Sequence, residues 1–544
     1  MSFPIRKLLL SRSILKDATD FLRQPINNPL PRFFPGFQHW SQFRRHFVQN
    51  LLIGIVIEVL VVLCGHWHVG VVTDTQNALL DSLMKLSSDT LSGDPKHPTQ
   101  LFIDVDEQTY RSPLWGGGEP SALPLDKIAD LIKEALANGA RYVLIDFAID
   151  GARDERQDNF ISRLEAILKQ YPNSHLLFVR TLRQPLETST VRAVRFSALD
   201  KLIEKHADNV HAVAPNFLRS SDHVLRHWRL WESACYPAPE RHGEGHWVIV
   251  PSPQLMITSL ENNLPLPWPM VGQPAAEALP CAVDGAEPDL LARTQSARMA
   301  DWLAGRWVWE NLGTCYLQDS FKADSCGKHG SPPAPGAQNE VTAKLEGETL
   351  ANRILFRQSD WVRKHTEAVR QGEALTIRKY PPYFDRLPAM NVLAGPPDGP
   401  AAVALGKLKN AAEHGSLTIA VIGASYEDSR DTHLTPLGEM PGSLVLVNAI
   451  DTMQTIVILQ SPNPWFKFTI VVLILVGIST AFALLTALWA AVLMFALVVL
   501  TIGPLSFWLL KQGIWLDFGA PIIGIYLHRE WEDLLERRSR KSQH

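Results

Sequence analysis

Charge is absent from one long stretch of this 544-residue chain, because Phe468–Leu510 contains no Asp, Glu, Lys or Arg. About 20 apolar residues are enough to cross a bilayer, so this absence excludes a purely soluble protein. The chain also lacks an excess of basic residues, with 52 Lys and Arg against 56 Asp and Glu. A nucleic-acid-binding body needs a basic face, and we therefore expect no nucleic-acid partner.

The motifs of common enzymes are missing as well. Neither GxGxxG nor a Walker sequence occurs, which argues against a phosphate-binding loop. Ser252 stands between two prolines without a nucleophile-elbow sequence, and we interpret it as a turn residue. His242 and His246 have a spacing that would suit a metal on a helix, but the two glycines between them favour a loop. We predict no catalytic residue, metal or other cofactor.

The charges that are present divide the chain into three parts. Residues 1–50 carry a net charge of +6, residues 528–544 carry +1, and the residues between them carry −11, against −4 overall. Lys and Arg favour the cytoplasmic side of a membrane. This distribution predicts cytoplasmic ends and an acidic domain on the opposite side, which in a bacterium is the periplasm.

Four transmembrane helices are predicted, one before and three after the large domain. Residues 47–72 follow Arg44 and Arg45, which marks a cytoplasmic start. Residues 468–510 would extend roughly 65 Å as one helix, about two bilayer thicknesses, and should form a hairpin. Ile514–Leu527 is short, and we add it as the fourth span because the basic run after it belongs in the cytoplasm. The other predicted parts are a basic, amphipathic cytoplasmic segment (1–46), a periplasmic domain (73–464), the three later spans (465–528) and a cytoplasmic tail (529–544).

Glu58 lies near the centre of the first predicted span. A carboxylate in hydrocarbon costs about 2.5–3.5 kcal/mol, so we expect it to be protonated or paired with a polar group of a neighbouring helix. Thr480, Thr486 or a partner subunit could supply that group. A helix-packing role and a proton-linked or signalling role both remain open.

Strand and helix patterns alternate in the large domain. Leu101–Glu107 alternates apolar and acidic residues, and Arg141–Phe147 is an apolar run, so both patterns predict strands. Apolar residues recur at helical spacing between them, up to Asn138-Gly139. The alternation continues through residues 158–214 and returns at Leu417–Gly423. We predict an α/β fold with a mixed or parallel sheet and flanking helices. Residues 216–410 indicate loops, with a long insertion over about 260–410.

Several polar residues are candidates for binding or cross-linking. Ligands favour the carboxyl ends of parallel strands, where we place Asp104, Asp106, Asp146 and Asp431. The alternative is that these aspartates cap helices and hold turns. Four of the five cysteines fall in the large domain, and Cys315 and Cys326 would close a short loop as a disulfide. Free buried thiols are the alternative there.

Two separated blocks of sequence carry a family resemblance. The first combines LFIDVDE with GARYVLIDF (Gly139–Phe147), and the second runs from Ile422 to Thr452 through IGA, DTHLTPL, MPG and NAIDT. Together they resemble the CHASE extracellular sensor domain of the second type, found on bacterial membrane receptors. Members of that family usually carry a cyclase, histidine kinase or diguanylate cyclase module after the last span. Only 17 residues follow Leu527 here, so the resemblance implies a sensor without its own output enzyme.

We therefore expect a bacterial inner-membrane protein whose periplasmic domain senses a ligand or binds a protein. It should contact the lipid bilayer and signal to a separate membrane or cytoplasmic subunit, or to further copies of itself. The alternative is a structural subunit of a cell-envelope complex, with residues 260–410 as an interface. A weaker alternative is a periplasmic metal-dependent hydrolase that uses the Asp or His groups.

Overall fold

The structure is a computed structural model, and it describes residues 40–66, 70–87, 98–117, 123–149, 154–183, 192–195, 197–215, 217–220, 222–237, 244–262, 270–271, 280–282, 353–356, 384–395, 399–455, 462, 464–510, 514–517 and 522–530. The chain divides into two compact units. The sheet unit comprises Asn77–Pro464 and Leu505–Leu516, and the helical unit comprises the rest.

A six-stranded sheet organises the sheet unit. Its strands lie in the order β12 (Phe384–Pro388), β1 (Thr99–Val105), β13 (Thr418–Ala424), β2 (Tyr142–Ile145), β3 (His175–Val179) and β6 (Val210–Val213). Every neighbouring pair is parallel. The central strand β13 is buried along its whole length, as expected for a parallel strand covered on both faces. The predicted α/β fold with a parallel sheet is confirmed.

Helices connect these strands. They are α3 (Glu107–Arg111), α4 (Leu125–Ala137), α5 (Glu155–Gln170), α6 (Leu199–Lys205), α7 (Pro253–Glu261), α8 (Met390–Leu393), α9 (Gly399–Glu413) and α10 (Gly442–Thr455). In α4 the apolar residues at helical spacing, such as Ile128, Leu131 and Ile132, are fully buried. Gly139 follows α4 with a φ of 87°, which confirms the predicted helix end.

A second, five-stranded sheet lies partly in residues 216–410, the region that the sequence pattern assigns to loops. Its order is β11 (Pro280–Ala282), β10 (Glu244–Pro251), β9 (Trp231–Pro237), β5 (Ala193–Val194) and β4 (Leu182–Arg183). A separate hairpin pairs β7 (Phe217–Arg219) with β8 (Leu225–Trp228). The loop prediction is wrong for β7, β8, β9, β10 and β11, which lie within residues 216–410. Buried Arg, His and Glu side chains interrupt their apolar pattern, and only tertiary pairing makes such burial favourable.

One disulfide joins Cys235 on β9 to Cys281 on β11. It fits an oxidising compartment, as the cysteine distribution indicates. The predicted pair Cys315 and Cys326 lies outside the residues that the structure describes. The range 260–410 also contains β12 and α9, which belong to the main sheet and its helical layer. Whether the rest of that range forms an insertion stays a prediction.

The helical unit contains the apolar helices. They are α1 (Gln42–His66), α11 (Pro464–Leu484) and α12 (Ala487–Leu497), and residues 522–530 are helical too. The break at Leu485–Thr486 separates α11 from α12, so the uncharged stretch forms more than one helix, as the predicted hairpin requires. A π-helical turn, Val498–Ile502, then leads into α13 (Gly503–Leu510). Among the residues that the structure describes, two helices are long and apolar enough to cross a membrane, Trp465–Leu484 and Leu488–Leu510.

The first apolar helix ends earlier in the structure than the sequence predicts. The helix α1 ends at His66, and α2 (Gly70–Ser87) begins before the predicted end at Val72. Residues 67–69 lie between the two helices and outside the described ranges, as do most of the N-terminal segment (1–39) and the tail after residue 530.

Candidate functional site

The carboxyl edge of the parallel sheet holds most of the predicted ligand residues. Asp104 is near the end of β1, Asp106 follows β1, and Asp146 follows β2. Asp431 comes after β13 in sequence and contacts the start of α10. The structure brings these residues together in two pairs, Asp104 with Asp106 and Asp146 with Asp431, which interact electrostatically.

Asp104 is fully buried and ion-paired. The Arg386 guanidinium donates to its carboxylate from Nε at 2.7 Å and from Nη2 as well, and the Ser425 hydroxyl donates at 2.8 Å. Burial raises the pKa of Asp104 to about 6, Arg386 opposes that rise, and the nearby Asp106 adds to it. The β12–β1–β13 order explains this contact, because Arg386 lies on the strand next to Asp104.

Asp106 caps the short helix α3. One of its carboxylate oxygens accepts from the Thr109 backbone N–H at 2.8 Å and from the Thr109 hydroxyl at 2.7 Å. Asp106 therefore has the geometry of a helix cap, which is the alternative to a ligand-binding role for the aspartates. The second oxygen of Asp106 and one oxygen of Asp104 are buried without a hydrogen-bond partner.

Asp146 contacts the first turn of α10. The Ser443 hydroxyl donates to its carboxylate at 2.5 Å. A Cβ on Gly423 would lie 1.9 Å from the Ser443 hydroxyl oxygen, so this approach requires glycine on β13. Burial raises the pKa of Asp146 to about 7, and the charge of Asp431 raises it further, while Ser443 and His433 act in the opposite direction.

Asp431 lies at the same helix start. Its Oδ1 is 3.0 Å from His433 Nε2, and a Cβ on Gly442 would lie 2.2 Å from its Oδ2. The Gly442 backbone N–H also donates to the Asp431 carbonyl at 2.8 Å. We call Asp146, Asp431, His433 and Ser443 the α10 cluster. The hydrogen bonds of the cluster, from the Ser443 hydroxyl to Asp146 and from the Gly442 N–H to the Asp431 carbonyl, hold the start of α10 in place.

The α10 cluster places two carboxyl groups, a hydroxyl and an imidazole next to one another. The Ser443 hydroxyl donates its hydrogen bond to Asp146, so His433 is not placed to act as its base. No group of three or more His, Cys, Asp or Glu residues within the described ranges could hold a metal ion. The hydrolase alternative therefore gains no observation in its favour.

The remaining residues singled out from the sequence have structural contacts. Ser252 caps α7 and accepts from the Leu255 N–H at 3.4 Å, which confirms a structural role. His246 lies on β10 with its ring 5.5 Å from that of Tyr236. His242 is outside the described residues. Thr480 donates to the Val476 carbonyl of its own helix, and Thr486 immediately precedes α12.

A buried ion network at α2 has no counterpart among the residues that the sequence pattern singled out. The Asp81 carboxylate accepts from Arg226 Nε at 3.0 Å and from Arg353 Nη2 at 2.5 Å, and Arg353 Nη1 also donates to Asn77 at 2.5 Å. All three charged residues are at least nine-tenths buried. Sequence separations of 145 and 272 residues place these partners beyond any local pattern.

The segment that carries Arg353 also contacts α10. The Ile354 N–H donates to the Arg226 carbonyl at 2.8 Å, and the Leu355 N–H donates to the Thr452 hydroxyl oxygen at 3.1 Å. Arg353–Phe356, which we call the linking segment, is fully or almost fully buried. It therefore lies in contact with both α2 and α10.

Comparison with known proteins identifies the family. A family model for the CHASE2 domain matches residues 57–485, which is most of the chain. The chain belongs to the CHASE2 domain family. CHASE2 domains are extracellular sensor domains, so the resemblance of the two sequence blocks is confirmed, and the family is sensory rather than catalytic. No curated protein and no solved structure gave a significant match to this CHASE2 chain.

Proposed function

We propose that this chain is a bacterial inner-membrane receptor whose CHASE2 domain lies in the periplasm and signals to a separate cytoplasmic partner. Family membership and the two apolar helices support a sensor at a membrane. The helix α1 has 25 residues, about 37 Å, and Glu58 is its only acidic residue, so we add it as a span. The helical residues 522–530 include the end of the predicted fourth span, which we add as well. This topology puts both termini in the cytoplasm, and the protein itself needs no catalytic activity.

The linking segment is the observation that carries this proposal. It contacts α2, which follows the first span, and α10, which precedes the hairpin. A change at the α10 cluster, at the other end of α10, can therefore act on both helices that lead to the membrane. A ligand shifts such an equilibrium only by binding one arrangement more tightly than the other.

The contacts of Arg353 hold α2 firmly against the linking segment, as transmission between α10 and α2 requires. Arg353 is 3% exposed, and burial lowers its pKa to about 10, so it stays charged at neutral pH. Removing one partner from a buried ion pair costs about 3–5 kcal/mol. A displacement of α2 relative to the linking segment is therefore costly, and the two elements should move together.

Double electron–electron resonance on the full chain in nanodiscs tests the transmission. Spin labels replace Arg44 and Glu530, near the proposed cytoplasmic ends of α1 and of the last helix, and free thiols are changed to serine. Arg353→Ala should shift or broaden the distance distribution between the labels. Arg111→Ala, which removes an arginine with a 72% exposed side chain, should leave it unchanged.

An unchanged distribution in folded Arg353→Ala protein would contradict transmission and favour the structural-subunit alternative. Thr452→Val is the second variant, should Arg353→Ala fail to fold. It removes the hydroxyl that contacts Leu355 from the α10 side and leaves the ion network intact. A shift in this variant alone would still support the proposal.

A further inference from the structure

His528, in the helical residues 522–530, is a buried residue whose polar atoms are not satisfied. It is 1% exposed, and neither of its ring nitrogens has a hydrogen-bond partner. The Phe482 ring packs against the imidazole with 4.5 Å between ring centroids. Buried polar side-chain atoms in folded proteins almost always have a partner, either protein or ordered water. Two such nitrogens in one side chain therefore indicate a missing polar partner.

Glu58 and His528 line the same small cavity of the helical unit. The other walls are apolar, formed by residues such as Ile474, Ile478 and Gly524. On the α1 side the packing is tight, because a Cβ on Gly54 would lie 3.0 Å from Leu475 Cδ2. The cavity has room for about one water molecule. A carboxyl group and an imidazole thus share a narrow space whose other walls are apolar.

Two other charged residues act on Glu58 from neighbouring segments, Lys467 on α11 and Asp517. Lys467 is exposed. The Asp517 carboxylate accepts from Gln76 Nε2 at 2.6 Å. Neither residue lines the cavity, so His528 is the polar group that faces the same space as Glu58.

We propose that Glu58 and His528 form a one-proton site inside the membrane. Glu58 keeps its proton and donates it to a single bound water, which in turn donates to the unprotonated ring nitrogen of neutral His528. The site carries no net charge in this form. Loss of this proton would leave a carboxylate in an apolar cavity, and binding of a second proton would leave an imidazolium there. The cost of desolvating a charged group opposes both changes.

This assignment goes beyond the proposed receptor function and does not depend on what the CHASE2 domain binds. It gives residues 522–530 a polar contact to α1 across a cavity whose other walls are apolar. The site also differs from the simple packing role considered for Glu58, because it requires a protonated carboxyl and a specific acceptor. A carboxylate ion paired with Lys467 is the competing arrangement.

Infrared spectroscopy of the full chain in nanodiscs tests the site at about pH 9, where exposed carboxyl groups are ionised. The wild type should show the C=O stretch of one protonated carboxyl group. Glu58→Gln should abolish that band, and the matched control Glu439→Gln, at an exposed position, should keep it. His528→Phe should keep the band but move it to higher frequency, because the hydrogen-bonded acceptor is lost.

Absence of a Glu58-dependent band in the wild type would overturn the proposal in favour of an ionised Glu58. A band that His528→Phe leaves at the same frequency would overturn the pairing. Should Glu58→Gln fail to assemble, Glu58→Asp keeps the test valid, since the proposal then requires a protonated band at a shifted frequency. These readouts are independent of ligand binding and of the spin-label distances, so failure here is distinguishable from failure of the receptor proposal.

Discussion

Arg180, at the end of β3, shows how the sheet unit accommodates charge. Its side chain is 1% exposed and pairs with Asp200 on α6, whose side chain is 3% exposed. The same guanidinium donates to the Arg195 carbonyl, and the Tyr236 hydroxyl hydrogen-bonds Asp200. Each buried charge thus has several partners, and losing one partner should cost more than losing any surface pair.

Asp200→Ala should lower the free energy of unfolding by about 3–5 kcal/mol, because it leaves the Arg180 charge buried without its counterion. Asp126→Ala is the matched control. Asp126 is an exposed residue 3.6 Å from Lys127, and its loss should change stability by less than about 0.5 kcal/mol. Denaturant unfolding of the detergent-purified chain, followed by tryptophan fluorescence, measures both. Equal losses in the two variants would contradict the pairing argument.

At the scale of single residues, the sequence predicts where the acidic side chains lie better than it predicts which residues they contact. Asp104 and Asp146 lie where a strand ends in an acidic residue, as the apolar runs indicate. Their partners Arg386 and Ser443 are 282 and 297 residues away, and only the sheet order brings them close. The capping role of Asp106 is one of the two alternatives that the sequence offers, because Asp is a preferred helix cap.

At the scale of elements, α10 begins against two carboxylates, and the stability of that contact depends on pH. The pKa of Asp146 is raised to about 7, against about 3.9 for an unfolded Asp, so the folded state binds its proton more tightly than the unfolded state. The carboxyl therefore stabilises the fold least above about pH 7 and most below about pH 4. Asp104, with a pKa of about 6, acts in the same direction.

Asp146→Asn should flatten the pH dependence of the melting temperature between about pH 4 and 7, because the amide does not titrate. In the wild type this contribution makes the melting temperature fall as the pH rises through that window. Asp428→Asn, at an exposed position, serves as the control and should follow the wild-type profile. Thermal unfolding followed by circular dichroism measures the profiles. The same slope in Asp146→Asn and the wild type would show that Asp146 is not the titrating group.

Helices and strands with regularly spaced apolar residues were predictable from the sequence. Strands that bury charged side chains were not. The predicted strand at Leu417–Gly423 is β13, and the predicted helix after Asp158 is α5, which begins slightly earlier at Glu155. Strand β8 escaped prediction because Arg226 and His227, both buried, break its apolar pattern. Strand β12 escaped for a similar reason, since Asp385 and Arg386 are buried and paired.

For the whole molecule, the charge distribution and the helices lead to one topology. Basic residues flank the first span and follow the last, and the acidic CHASE2 domain lies between them. The proposed four spans keep both ends on the same side of the membrane. A fifth span, or the loss of the short fourth one, would place the C-terminal tail outside.

Single cysteines at Ser2, Ser162 and Ser542 test this topology with a membrane-impermeant maleimide. In intact spheroplasts, only Ser162→Cys should react, because this exposed position on α5 belongs to the large domain and the other two positions lie in the cytoplasm. All three should react after the membrane is permeabilised, which controls for thiol accessibility. Labelling of Ser542→Cys from outside would remove the fourth span from the proposal.

The central position of β13 also has a consequence for biogenesis. This strand separates β1 from β2 and is the last strand of the main sheet to be synthesised. Until it has crossed the membrane, the facing edges of β1 and β2 remain open to aggregation. In the proposed topology, the exported chain must therefore stay unpaired, or be held by periplasmic chaperones, until nearly the whole domain has been translocated. Truncation before Thr418 should leave not a smaller sensor but a sheet split into two halves.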